Sequence, residues 1–200
     1  MQNAYKELPE NYECAYHINA KDTKTGIILN VFSLIIMVIS MAICFIPLIL
    51  NPDTVWEINI YTYLLSLSVT LLCIISYMVL HELVHGFAYK CLTKEKLTFG
   101  ISWSCAFCGV PNVYVNRKTA LISLTAPLIT FSVIFIALTI LMYFTNTIFY
   151  LCASALLSLH LGGCVGDIYM TALFLFKFKQ KDLLMRDTGP EQFVYIKKQT

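Results

Sequence analysis

Four stretches of this chain are long and apolar enough to cross a lipid bilayer, and 200 residues leave no room for a soluble core that could hide them instead. They cover residues 27–50, 58 to about 89, 119–144 and 147–176. Each reaches the roughly 20 residues that a helix rising 1.5 Å per residue needs to span the hydrocarbon. Charged residues make up only 13% of the chain, against about a quarter in a soluble domain. The mean hydropathy of +0.70 agrees. The expectation is an all-α membrane protein of four transmembrane helices. The link Thr145-Asn146 is so short that it forces the third and fourth spans into an antiparallel hairpin.

Basic residues give the orientation. Lys21 and Lys24 precede the first span. Lys90, Lys94, Lys96, Arg117 and Lys118 lie between the second and third. Lys177, Lys179, Lys181 and Arg186 follow the fourth, and the loops 51–57 and 145–146 hold no Lys or Arg. This pattern places a multi-pass protein in the cell membrane with N- and C-termini cytosolic. The organisation expected is a cytosolic segment 1–26, a membrane domain 27–176 and a cytosolic tail 177–200. Glu7, Glu10 and Glu13 are wrong for a positively charged leader. A net charge of +2 without a basic tract argues against nucleic acid as a partner.

Between the second and third spans, the stretch from Phe99 through Ile101, Trp103 and Cys105 to Phe107 alternates loosely. Gly100 and Gly109 punctuate it, and Val113-Tyr114-Val115 follows Pro111-Asn112. It reads as a short β-hairpin lying against the membrane. The polar tail 180–200 contains Thr188-Gly189-Pro190, which breaks any helix. Of the eight cysteines, Cys44, Cys73, Cys152 and Cys164 fall inside apolar runs and act as small hydrophobes. Cys14, Cys91, Cys105 and Cys108 fall on the cytosolic side, where thiols stay reduced, so no structural disulfide is expected.

The chemistry gathers where lipid should be. A titratable group at membrane depth is costly and is functional by default. His81-Glu82-Leu83-Val84-His85 closes the second run. Two histidines four residues apart share one face of a helix, the spacing that grips a zinc ion in H-E-x-x-H metallopeptidases. A third ligand is sought at the same depth. His81 comes 23 residues after Ile58, roughly 35 Å of helix, and Asp167 comes 20 residues after Thr147, roughly 30 Å. His160 is only 13 residues in, roughly 20 Å, and reads as a buried histidine bonded to a neighbouring helix. Gly162 and Gly166, four apart, would let helices approach closely enough for the short Asp167 carboxylate to reach the metal. His81, His85 and Asp167 are therefore the expected Zn2+ ligands, leaving a fourth position for water. Glu82, beside the ligand face, is the expected general base. Pro127 frees a backbone carbonyl and bends the third span near the site.

Other motifs carry less. A single Cys105–Cys108 pair is weak as a metal site without a second pair. Asp187-Thr188-Gly189 mimics an aspartic-protease triplet, but that chemistry needs two facing carboxylates and one copy is present.

With His81-Glu82-Leu83-Val84-His85-Gly86, Leu124-Thr125-Ala126-Pro127-Leu128 and Gly166-Asp167, the chain resembles the zincin peptidase family of DUF3267 type, bacterial membrane proteins similar in style to site-2 intramembrane proteases. The resemblance covers the second through fourth spans. It implies an integral-membrane zinc metalloprotease cutting a peptide bond near the cytosolic face, with His81, His85 and Asp167 on the metal and Glu82 as base. It implies too that the aromatic loop guides a substrate strand. The third-ligand region reads Val165-Gly166-Asp167-Ile168, where site-2 proteases have leucine-aspartate-glycine. The expected partners are the lipid bilayer and a membrane-embedded or membrane-proximal protein substrate. The alternative is a catalytically silent metal-binding membrane protein with a structural or regulatory role, favoured by a closed site in which His160 is a fourth ligand. A metal permease is disfavoured, because the polar residues gather at one end rather than forming a relay.

Overall fold

The computed structural model of the chain describes residues 3–20, 22–52, 59–101 and 106–198. The chain is mostly helical, with a small antiparallel sheet. Strands β1 (Ala4–Tyr5) and β2 (Tyr12–Asn19) precede the helices α1 (Thr23–Leu50) and α2 (Ile60–Thr93). Then come β3 (Thr98–Ile101), β4 (Ala106–Gly109) and β5 (Tyr114–Asn116), followed by α3 (Arg117–Tyr143), α4 (Thr147–Gly163) and α5 (Val165–Ala172). A π-helical turn, Leu173–Lys177, leads to β6 (Leu184–Asp187) and β7 (Glu191–Lys197). Helices α1, α2 and α3 are each long and apolar enough to cross a membrane. There are four such spans if α4 and the bent continuation Val165–Lys177 count as one. The fourth run is thus not the single straight helix that its composition suggests. It breaks at Cys164, beyond the paired glycines Gly162 and Gly163.

The chain divides into two compact units. One comprises Asn30–Met78 and Leu128–Val165, all helical where described. Its α3–α4 connection is as tight as expected. Asn146 caps α4, its side chain accepting from the N–H groups of Ile148 and Phe149. Gly162 packs against α1, where an added Cβ would press on the Met37 side chain and the Ser33 carbonyl. The close-approach reading therefore holds at Gly162. It does not hold at Gly166, around which a Cβ would meet nothing within 4 Å. The break at Cys164 ends the i, i+4 face between the two.

The other unit comprises Met1–Leu29, Val79–Pro127 and Gly166–Thr200. Here the structure departs from an all-α reading. A five-stranded antiparallel sheet, in the order β1-β5-β6-β7-β2, draws on both ends of the chain and on the loop after α2. β2 pairs along its length with β7, from Tyr12 opposite Lys197 to Asn19 opposite Glu191, with an irregularity between Cys14 and Tyr16. The Thr188-Gly189-Pro190 stretch does break regular structure, as the turn between β6 and β7. Gly189 there has φ +102°, a conformation side chains rarely allow. Val113, Val115, Leu183, Met185 and Val194 from the sheet region join Tyr89 of α2, Leu124 of α3 and Met170 of α5 in one buried core. The expected hairpin also exists: β3 pairs with β4, Thr98 opposite Gly109 through Ile101 opposite Ala106. Val115 belongs instead to β5 in the larger sheet. Trp103 and Cys105 lie outside the described residues. The other seven cysteines are free thiols.

Candidate metal centre

The second of these units brings the expected ligands together. His81 and His85 lie one helical turn apart on α2, and both are 8% exposed. Asp167 enters from the first turn of α5, where the helix dipole favours a carboxylate. Its Oδ2 lies 3.3 Å from His81 Nε2 and 3.3 Å from His85 Nε2. One donor atom from each of the three falls within 4.8 Å of the others.

These distances test the fit of a metal. Zinc bonds of about 2.0–2.1 Å at tetrahedral angles put neighbouring donor atoms about 3.3 Å apart. The two nitrogen–oxygen separations have that value, so two imidazoles and a carboxylate fit the ion in both geometry and donor type. A buried carboxylate between two imidazoles, with no cation, would instead need protons to hold it together. The other nitrogen of His85 supports the metal reading: Nδ1 lies 2.8 Å from the Ser123 carbonyl oxygen. A carbonyl only accepts, so Nδ1 carries a hydrogen, and in the neutral ring a metal ligand requires, Nε2 is left free to face Asp167 and the ion.

Glu82 is adjacent in sequence and points off the ligand face. The backbone of Cys108 in β4 is among the groups that act on its carboxylate. Gly86 follows the motif on α2. A Cβ there would come within 2.7 Å of the Phe99 ring of β3 and 3.1 Å of Leu97, so glycine lets the hairpin strand lie against α2 beside the motif.

Cys108 itself is buried. Desolvation, reinforced by the negative charges of Asp187 and Glu82, pushes its thiol up to about 12. It is held as a neutral thiol, the wrong form for a metal-binding pair. Asp187 is fully enclosed as well, accepting from the Tyr89 hydroxyl at 2.7 Å and from the Gly189 N–H at 2.8 Å. It fastens α2 to the β6–β7 turn. No second carboxylate pairs with it among the described contacts, so the aspartic-protease triplet is a structural turn.

His160 lies in the helical unit and is fully buried. Its Nδ1 meets the Tyr77 hydroxyl at 2.8 Å and its Nε2 meets the Ser132 hydroxyl at 3.1 Å. Phe131, Phe135 and Tyr77 surround the ring. Both nitrogens are engaged by hydroxyls, the environment expected of a hydrogen-bonded interior histidine.

What the sequence did not expose is the Ser123 carbonyl. An orienting carboxylate for a ligand histidine was the natural thing to seek, and none is evident; a backbone oxygen leaves no side-chain signature.

A family model described as "Putative zincin peptidase", DUF3267, matches residues 74–181, just over half of the chain, including the α2 motif, Pro127 and Asp167. No curated protein and no solved structure matches the chain.

Proposed function

This chain belongs to the DUF3267 family of zincin peptidases, whose cofactor is zinc, and we propose that it is an integral-membrane metallopeptidase that hydrolyses a peptide bond near the cytosolic face. The observation that carries this reading is the convergence of His81, His85 and Asp167, with both histidine Nε2 atoms 3.3 Å from Asp167 Oδ2. These three side chains would hold the ion. Zinc bound there supplies a Lewis acid that polarises the scissile carbonyl and makes water more acidic.

The remaining work falls to the protein. A Glu82 carboxylate oxygen accepts the proton of the attacking water and delivers it to the leaving amine. The Ser123 carbonyl keeps His85 Nδ1 protonated and the ring in place.

The sheet supports an even number of membrane crossings. It joins two strands from before α1, one from between α2 and α3, and two from after α5. Strands of one hydrogen-bonded sheet share a side of a bilayer, because open backbone is not tolerated in hydrocarbon. Those three chain segments and the helix ends beside them carry all the Lys and Arg, which argues that the side is cytosolic. The reading is four crossings with both termini inside. The substrate we infer is a membrane-embedded or membrane-proximal protein segment.

The test is Glu82→Gln in purified, zinc-loaded protein, offered a library of transmembrane and juxtamembrane peptides and read by mass spectrometry. The expected outcome is unchanged zinc content with cleavage lost. Parental cleavage by the variant would remove Glu82 as the base.

A further inference from the structure

Pro127 lies inside α3, which runs unbroken from Arg117 to Tyr143. In an α-helix the N–H of residue 127 would bond the carbonyl of residue 123, and proline has no N–H. The carbonyl thus released belongs to Ser123, the group that meets His85 Nδ1 at 2.8 Å. We infer that Pro127 is a positioning residue for the metal centre: by withholding its N–H it reserves the Ser123 carbonyl for His85, and so sets which ring nitrogen faces the ion. This inference rests on the reading of His85 as a zinc ligand.

The steps follow from chemistry that this chain displays. Helical carbonyls point along the axis toward the N–H four residues on. A carbonyl without that partner, pressed by the proline ring, tilts out of the helix. Buried backbone oxygens still need a donor, because leaving one unmet costs stability. Ser123 is fully buried, so water does not serve it. The donor it meets is a ring nitrogen of the motif on α2. The bond therefore satisfies the helix and the histidine together, and its direction is fixed: Nδ1–H donates, the carbonyl accepts, and in the neutral ring Nε2 is left with its lone pair. That lone pair lies 3.3 Å from Asp167 Oδ2, on the ligand side.

Any other residue at 127 returns an N–H to the Ser123 carbonyl. His85 Nδ1 then competes with a covalently tethered donor, and its proton can move to Nε2, the tautomer that cannot bind metal. Partners of this kind typically contribute 10–100-fold to metal affinity. The same substitution removes a helix breaker, so it should not weaken α3. Metal affinity and fold stability should accordingly move in opposite directions, which a purely structural proline would not produce.

The experiment uses the full chain in detergent micelles with 15N-labelled histidine, comparing wild type, Pro127→Ala and His85→Ala. Zinc alone is titrated into metal-free protein, and histidine tautomers are read from two-bond 1H–15N correlations. In metal-free wild type, His85 is expected to carry its hydrogen on Nδ1. Pro127→Ala is expected to bind zinc roughly 10–100-fold more weakly, to populate the Nε2–H form of His85, and to melt no lower than wild type. Wild-type zinc affinity in Pro127→Ala, with zinc lost in His85→Ala, overturns this inference and leaves the zinc reading standing. Zinc retained in His85→Ala overturns the zinc reading itself. Should Pro127→Ala fail to fold, the wild-type spectrum decides: a hydrogen on His85 Nε2 contradicts the proposal.

Discussion

Two sets of histidines lie buried in this chain, and burial does not tell them apart. His81 and His85 are 8% exposed, and His160 is not exposed at all. The difference lies in what their nitrogens meet. His160 is closed off by two hydroxyls and three aromatic rings, each nitrogen bonded to a neutral group. His81 and His85 turn Nε2 toward one carboxylate, and in His85 the opposite nitrogen is spoken for by a backbone oxygen. The first arrangement already gives both ring nitrogens hydroxyl partners. The second gathers two imidazole nitrogens around one carboxylate oxygen, a donor set that a cation would complete.

The largest effect that would sharpen this contrast is on catalysis. Glu82→Gln should lower turnover by about 10²–10⁴-fold, equivalent to roughly 3–5 kcal/mol of barrier, with zinc content intact. Next comes the interior histidine. His160→Ala should leave zinc binding unchanged yet cost about 3 kcal/mol of stability, since it opens a cavity and strands the hydroxyls of Tyr77 and Ser132. Unfolding in detergent together with metal analysis checks both halves. Loss of zinc from that variant would break the distinction.

A comparable effect follows from Asp187, at the junction of α2 and the sheet. Burial pushes its carboxyl up to about 6, against the hydrogen bonds from Tyr89 and Gly189 that favour the charged form. The folded protein therefore prefers the neutral acid more than the unfolded chain does. Its contribution to stability is full below pH 3.8, the ordinary value, and is lost as pH rises through about 6. The swing is about 3 kcal/mol at most. Melting temperature should fall between about pH 4 and about pH 6 and level off above, and Asp187→Asn should flatten that slope; an equal slope in the variant would remove Asp187 as its source.

The smallest effect concerns Gly166. Its surroundings are open, so Gly166→Ala should raise stability by about 0.5–1 kcal/mol through helix propensity alone. A loss of stability measured by thermal melting would show that the space is not free.

How much of this was legible beforehand follows from where each signal resides. The three apolar helices and the H-E-x-x-H pair are written in side chains at fixed spacing, and they read directly. Asp167 was reachable by counting helical rise. The sheet was not, because β2 and β7 are separated by the whole chain, and the register shift between Cys14 and Tyr16 spoils the alternation that would have marked β2 as a strand. Gly166 was misread as a contact glycine because a spacing of four carries meaning only along one unbroken helix, and the chain breaks at Cys164. The Ser123 oxygen was visible only indirectly, through the proline four residues later.

Zinc content of purified wild type beside Asp167→Ala, measured by elemental mass spectrometry on folded protein, tests the central claim most directly. One zinc per wild-type chain and almost none in the variant is the result expected from the shared carboxylate. One zinc per chain in both would contradict it and remove Asp167 from the metal centre.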